Sequence, residues 1–219
     1  MGLKWQLKNL VYRSPLARLT CPRYIYNMEP TQLGFLASCV DRTRELPGPI
    51  LEVGCFVGAT TIWLNMHMNC TDIEKPYFVI DTFSGFTPTD LDHEVHKRGK
   101  SESIMAFQEN DQAWFDKTMQ VNGFSRVTSI QADAGSFDYS RFSDLSFVLV
   151  DVDLYIPVLG ALERLWPQMA RGGLIVVDDC LPNNDADGAL QAYDEFIQKH
   201  GLPRNIVHKK LGVIEAPSA

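Results

Sequence analysis

Five short stretches of the chain are continuously apolar or nearly so: Ile50–Val53, Tyr77–Ile80, Val127–Ile130, Phe147–Val150 and Leu174–Val177. Apolar runs of this length without alternation are how strands buried on both faces read. Between them the period changes. Ala59–Met68 follows the first run, Ile104–Val121 precedes the third, Pro157–Met169 follows the fourth and Gly188–His200 follows the fifth. In Pro157–Met169, Leu159, Leu162, Leu165 and Trp166 form a helical stripe, and Pro157 occupies a first-turn position that needs no amide proton. Leu190, Tyr193, Phe196 and Ile197 form the stripe of the last stretch. Upstream, Glu29-Pro30-Thr31 opens a further helix with Leu33, Leu36, Ala37 and Val40 on one face, ended by Leu46-Pro47-Gly48-Pro49. Two final runs, Ile206–His208 and Val213–Glu215, can pair as a hairpin.

Strands that alternate with helices predict an α/β fold: a mostly parallel twisted sheet with helices on both faces, closed here by a C-terminal antiparallel hairpin. One domain is expected over residues 1–219. Its first 48 residues form an N-terminal lid or oligomerisation segment with a helix, and residues 49–219 form the α/β core. Residues 1–28 have no clean period. The polar stretch Thr87–Ser103 also has none; it interrupts the second crossover and reads as a lid loop inserted over residues 87–103.

Composition narrows the function classes. The chain is 45% hydrophobic and 21% charged, unlike a disordered chain or a collagen. Its 27 acidic and 20 basic side chains give a net charge of −7, which argues against holding nucleic acid by phosphate neutralisation. No apolar run reaches the ~18 residues of a membrane helix. The five cysteines are irregularly spaced with no C-x-x-C pair, so neither a disulfide framework nor a zinc site is expected. The basic N-terminus lacks the apolar core of a signal peptide, and Gln6 stands where a myristoylation signal carries Ser or Thr. A cytoplasmic protein with no nucleic-acid or membrane partner is the expectation.

In sheets of this class ligands bind beyond the carboxyl ends of the strands. The residues there are Gly54 to Gly58, Asp81, Asp133, Asp151 with Asp153, and Asp178 with Asp179. In Leu51-Glu52-Val53-Gly54-Cys55-Phe56-Val57-Gly58 the two glycines permit a tight turn into a helix whose free N–H groups face the turn. Phe56 fills the second glycine position of a dinucleotide fingerprint, which counts against a nicotinamide dehydrogenase. The acid-x-Gly-x-x-x-Gly pattern suits a smaller ligand with a carboxylate tail and a cation, with Glu52 near the cation; a plain tight turn is the alternative. Asp81 follows Gly58 by 23 positions, near the ~20 expected of an acid that binds a ribose diol. It otherwise caps a turn. Phe83 or Phe86 could flank an adenine.

Asp151 and Asp178 directly follow apolar runs, so adjacent strands would bring Asp151, Asp178 and Asp179 together. Such carboxylates repel unless a cation is present, and Mg²⁺ suits hard oxygen ligands. Two structural alternatives stand beside this: Asp153 can cap the helix near Pro157, and Asp179 can begin a turn before Pro182. His93 and His96, in the polar stretch, are either solvated loop histidines or a general base.

Taken together, LEVGCFVGATT, DTFSGF, FVLVDVDLY, LERLWPQMARGGLIVVDDC and GALQAYDEF resemble the macrocin O-methyltransferase family, over about Ile50 to Phe196. The resemblance implies a Rossmann-like class I methyltransferase fold that binds S-adenosylmethionine, with a divalent cation, usually Mg²⁺, beside the methyl donor. It implies metal ligands at Asp151, Asp178 and Asp179. It implies cofactor contacts at Glu52, Gly54 and Gly58, at Asp81 with Thr82 and Phe83, and at Asp133 and Asp151. His93 is the nearest match to the family's catalytic histidine. The implied reaction is methyl transfer to a hydroxyl of a sugar or natural product. A vicinal diol or a catechol would suit the metal, with His93 or an aspartate beside the metal, such as Asp151, taking the proton. A homo-oligomer is expected. Two other functions remain open on the residues: a metal-dependent glycosyltransferase using D-x-D, and a catalytically inactive S-adenosylmethionine-binding module.

Overall fold

The computed structural model describes residues 2–19, 24–101, 107–182 and 187–218. The five apolar runs become five parallel strands: β1 (Ile50–Val53), β2 (Tyr77–Asp81), β3 (Val127–Gln131), β4 (Leu145–Val150) and β5 (Met169–Val177). The hairpin of β6 (Ile206–Val207) and β7 (Leu211–Glu215) completes the sheet, with β7 antiparallel to β5. The order is β3-β2-β1-β4-β5-β7-β6. Growth of the sheet reverses between β1 and β4, and this switch point is where a ligand crevice forms.

Every residue of β1 and β4 is buried, which is why these strands read as unbroken apolar runs. Successive side chains serve opposite layers. Ile50, Phe147 and Leu149 pack with α2 (Pro30–Arg42), α3 (Ala59–Cys70) and α5 (Gln112–Asn122), through Leu36, Leu64 and Phe115. Leu51, Val148 and Val150 pack with α6 (Tyr155–Leu165) and α7 (Gly188–His200), through Leu162 and Phe196. Together these layers give the predicted α/β architecture. Among the described residues no helix is long and apolar enough to cross a membrane.

Three boundaries depart from the pattern. The helix before β3 begins at Gln112, because the Asp111 carboxylate caps it by accepting the Trp114 N–H at 3.0 Å; residues 102–106, where the pattern starts it, lie outside the described set. The helix after β4 begins at Tyr155 rather than Pro157 and passes at Trp166 into a 3-10 turn containing Pro167, so Met169 already belongs to β5. N-terminally, Leu3–Tyr12 is a helix, α1, with no buried residue.

The largest departure is the stretch expected as a lid loop, of which Pro88–His96 is a helix, α4. Thr87 caps it by accepting the Asp90 N–H at 3.2 Å, and Pro88 supplies a preset first turn. Its buried residues are polar, Asp90 and Glu94, so no apolar period announces it. Glu94 is 1% exposed; it accepts the Tyr155 N–H at 2.9 Å and the Arg98 Nε–H at 2.8 Å. Arg98 in turn pairs with Asp187 beside α7. Buried charge with matched partners thus docks α4 onto α6 and α7.

Candidate active site

Gly54 ends β1 at φ +86, and its N–H donates to the Ile80 carbonyl at 2.8 Å. A Cβ at this position would lie 1.9 Å from the Asp151 carbonyl oxygen. Only glycine lets the ends of β1 and β4 approach backbone to backbone, and that approach brings Asp151 against the β1–α3 turn.

Of the residues singled out from sequence, Glu52, Gly54, Asp81, Thr82, Asp133, Asp151, Asp178 and Asp179 line one cavity beyond the strand ends, as do Asp153 and Phe86. Three do not. Gly58, at φ +85, backs onto α5, where a Cβ would meet Met119 at 2.8 Å and Phe115 at 2.9 Å; its constraint is packing. Phe83 is buried in the core against Phe115, ring centroids 5.6 Å apart. His93 faces a separate cleft with Lys97, Arg98 and Tyr155. It stacks on the Tyr155 ring at 5.3 Å, and its buried Nδ1 has no hydrogen-bond partner. The helix that carries His93 turns Asp90, one turn earlier, to the cavity and His93 away from it.

Asp81 does more than cap its own turn. Its Oδ2 accepts the N–H groups of Cys55 at 2.8 Å and Phe56 at 3.2 Å, and its Oδ1 accepts that of Phe83 at 2.8 Å. The carboxylate therefore staples the end of β2 to the glycine turn. Thr82 donates its hydroxyl to Gly85 O at 2.6 Å, and Asp133 accepts the Gly135 N–H at 2.9 Å and the Ser136 hydroxyl at 2.6 Å. Glu52 is buried and accepts the hydroxyls of Thr61 and Tyr77, each at 2.7 Å. Burial pushes its carboxyl up to about 7, against the lowering effect of those two hydroxyls.

The acids at the tips of β4 and β5 form one cluster. Asp153 and Asp179 both adopt left-handed backbone, φ +56 and +55, which aspartate tolerates better than most residues. Leu154, not Asp153, is the N-cap of α6. Asp153 instead hydrogen-bonds Asp179. Burial first, then the neighbouring carboxylates, holds Asp151 well above the usual carboxylate range. For Asp153, burial leads again, followed by the hydrogen bond and charge of Asp179. Burial also raises Asp178, whereas Asp179 sits below its ordinary value because the hydrogen bonds from Asp153 and Lys210 outweigh its burial.

Lys210 is the residue that sequence reasoning missed. Its ammonium lies 2.8 Å from Asp178 Oδ2 and 2.8 Å from Asp179 Oδ1. Nothing distinguishes it in the sequence from its neighbour Lys209, since both stand between two short runs. Only the placement of β7 beside β5 brings it to the acids, where its carbonyl accepts the Cys180 N–H at 2.8 Å. Phe107 is also new to the cavity and closes an aromatic wall with Phe56 and Phe86, ring centroids 5.1 and 5.5 Å away.

The cluster suits a hard cation by donor chemistry: four carboxylates against one ammonium, and Asp178 Oδ1 buried with no partner. Among the described residues, however, no three His, Cys, Asp or Glu side chains converge as a ready-made metal cage.

Comparison with known proteins follows the same lines. Residues 20–212 match the family described as macrocin-O-methyltransferase (TylF). The chain is 24% identical over 204 residues to the mycinamicin III 3''-O-methyltransferase of Micromonospora griseorubida, covering 80% of this chain and 71% of that protein. It is 23% identical, over an alignment of 234 residues, to the 8-demethyl-8-(2,3-dimethoxy-alpha-L-rhamnosyl)-tetracenomycin-C 4'-O-methyltransferase of Streptomyces olivaceus, covering 91% of this chain and 84% of that one. Among solved structures it is similar in fold to the O-methyltransferase NovP, with a TM-score of 0.69 at 18% identity, over 85% of this chain and 79% of that chain.

Proposed function

The chain belongs to the macrocin O-methyltransferase family, and on that premise we propose that it transfers the methyl group of S-adenosylmethionine to a hydroxyl of a sugar or sugar-bearing natural product. The observation that carries this reading is that the Gly54 turn, Asp81 and the acid cluster surround one cavity at the β1/β4 switch point. The sugar acceptor is supported by the tetracenomycin relative, which is named for 4'-O-methylation of a rhamnosyl compound. The glycosyltransferase reading of D-x-D has no such support.

When bound, S-adenosylmethionine supplies an electrophilic methyl group on a sulfonium. The chain's part is to hold and orient it. Ala59 and Thr60, which open α3, line the cavity, and their end of the helix favours a carboxylate tail. Glu52 and Asp151 line the neighbouring space with carboxyl oxygens, which suit an ammonium or a sulfonium. Asp81 is fixed by three backbone N–H groups and lines the cavity, and a ribose diol would take the place of the Asn110 amide on its Oδ1. Phe86, with Phe56 and Phe107, forms the apolar wall against which an adenine can lie. Asp133 lines the same cavity.

Asp151, Asp178 and Asp179 would hold a divalent cation, for which Mg²⁺ suits the oxygen donors; its contribution is Lewis acidity toward an acceptor hydroxyl. An aspartate of the cluster takes the hydroxyl proton. Asp151 and Asp153 fit that part by position, since both line the cavity just beyond the end of β4. His93 is left out of the mechanism, since it faces another cleft. Calorimetric titration of S-adenosylmethionine into the protein tests the premise: saturable binding is expected, and its absence ends the proposal. Turnover compared between Mg²⁺ and EDTA tests the cation, and equal rates would remove it from the reaction.

A further inference from the structure

Lys210 sits in the turn from β6 to β7 and reaches into the acid cluster with a side chain only 14% exposed. One ammonium there faces four carboxylates, Asp151, Asp153, Asp178 and Asp179, all lining the same cavity. A second observation points the same way. Asp178 is 4% exposed, and its Oδ1 is buried with no donor in reach. Buried polar atoms without partners are rare, and this one belongs to a residue that lines the same cavity as the other acids.

We propose that Lys210 is a tethered counter-cation of the acid cluster, and that a divalent cation enters the site by displacing its ammonium from Asp178 and Asp179. The inference rests on the divalent-cation reading above and adds the element that controls occupancy. Displacement needs no refolding. The Lys210 backbone is pinned by the Cys180 N–H at 2.8 Å, and β7 begins at the next residue. The turn is further tied to α2, where Gln32 Nε2–H donates to the His208 carbonyl at 3.0 Å. Only the flexible four-carbon stem has to swing out. Lys210 thus limits the mutual repulsion of the acids in the metal-free protein and sets the threshold that an entering cation must exceed. Without that charge, the acids stay uncompensated until a cation arrives.

The test is binding of Mn²⁺ alone, followed by electron paramagnetic resonance or calorimetry, to the full-length wild type, Lys210→Met and Lys210→Gln. Lys209→Met serves as the charge control; Lys209 is exposed and pairs with Glu29 at 2.6 Å. Both Lys210 variants are expected to bind Mn²⁺ at least ~10-fold tighter than wild type, with Lys209→Met unchanged. In the metal-free state Lys210→Met is expected to melt below wild type, and Mn²⁺ to raise its Tm by more. Lys210→Gln keeps a polar end and carries the measurement if the Met variant does not fold. Unchanged or weaker binding in both variants, with measurable binding by wild type, overturns the displacement and leaves the cation reading standing. No binding by any of the proteins at millimolar Mn²⁺ overturns both.

Discussion

Replacing Asp81 with Asn perturbs the point where β2 is tied to the glycine turn. The wild-type carboxylate accepts Cys55 and Phe56 N–H on Oδ2 and Phe83 N–H on Oδ1, where the Asn110 amide also approaches to 3.3 Å. An asparagine has a single accepting oxygen. Turned toward Cys55 and Phe56, it keeps two donors and points its NH₂ at the Phe83 N–H and the Asn110 amide. Turned the other way, it abandons both donors of the glycine turn. Even in the better orientation one hydrogen bond to a charged acceptor is lost, worth about 1.5–3 kcal/mol, and two donors are left opposed. The two surviving bonds weaken because their acceptor is no longer ionised. The expected loss is about 2–4 kcal/mol, which for a chain of this size lowers Tm by on the order of 10 °C. Urea unfolding at pH 7, followed by tryptophan fluorescence, measures it directly. Calorimetry on the same variant should find S-adenosylmethionine binding at least ~10-fold weaker, the loss of one well-made polar contact. Stability within about 0.5 kcal/mol of wild type, the range of an ordinary surface substitution, would refute the staple.

Three further outcomes follow from the same geometry. Gly54→Ala forces a Cβ into the Asp151 carbonyl and a left-handed backbone onto alanine, so a loss of about 2–5 kcal/mol is expected in the same unfolding assay; a loss below about 1 kcal/mol would mean that the strand ends do not meet as described. Glu52 holds its proton up to about pH 7 in the folded chain, whereas unfolded it releases it near its ordinary value of 4.5, so its contribution to stability is greatest below pH 4.5 and falls as pH rises toward 7. Glu52→Gln has no proton to lose, and wild type should fall behind it by about 3 kcal/mol between pH 4.5 and 8 in paired denaturation curves, parallel pH profiles being the contrary result. His93→Ala should keep turnover within about 3-fold of wild type, because a general base is worth about 100-fold or more and His93 faces another cleft; a drop of that size would return it to the mechanism.

The strands were legible because burial on both faces leaves an unbroken apolar signature, as in Phe147–Val150, and a ligand site beyond the strand ends followed from the fold class, whereas the pairing of β1 with β4 is seen only in the sheet order. Asp81, Asp151, Asp178 and Asp179 were legible because residues just past a run must emerge at one edge. What failed to show had physical causes. Helix α4 is held by buried Asp90 and Glu94 and by a Thr-Pro start, so its inward face carries no apolar period. His93 is close to the cavity in sequence, but helical rotation turns it away. Phe83 sits next to a cavity residue, yet its left-handed backbone, φ +50, sends the ring into the core. Lys210 depends on long-range topology alone: an antiparallel strand placed beside β5 delivers a turn residue to acids more than thirty positions earlier in sequence, with distances of 31 and 32 residues. No local pattern encodes such a contact.

The fate of the methyl group tests the proposed reaction most directly. Wild-type protein incubated with isotopically labelled S-adenosylmethionine, Mg²⁺ and a panel of glycosides bearing free vicinal hydroxyls should yield a labelled methyl ether on a sugar oxygen, identified by mass spectrometry and NMR, with the product lost in Asp178→Asn. Label appearing on a nitrogen or carbon atom of another acceptor class, or saturable cofactor binding with no transfer to any sugar hydroxyl, would contradict it.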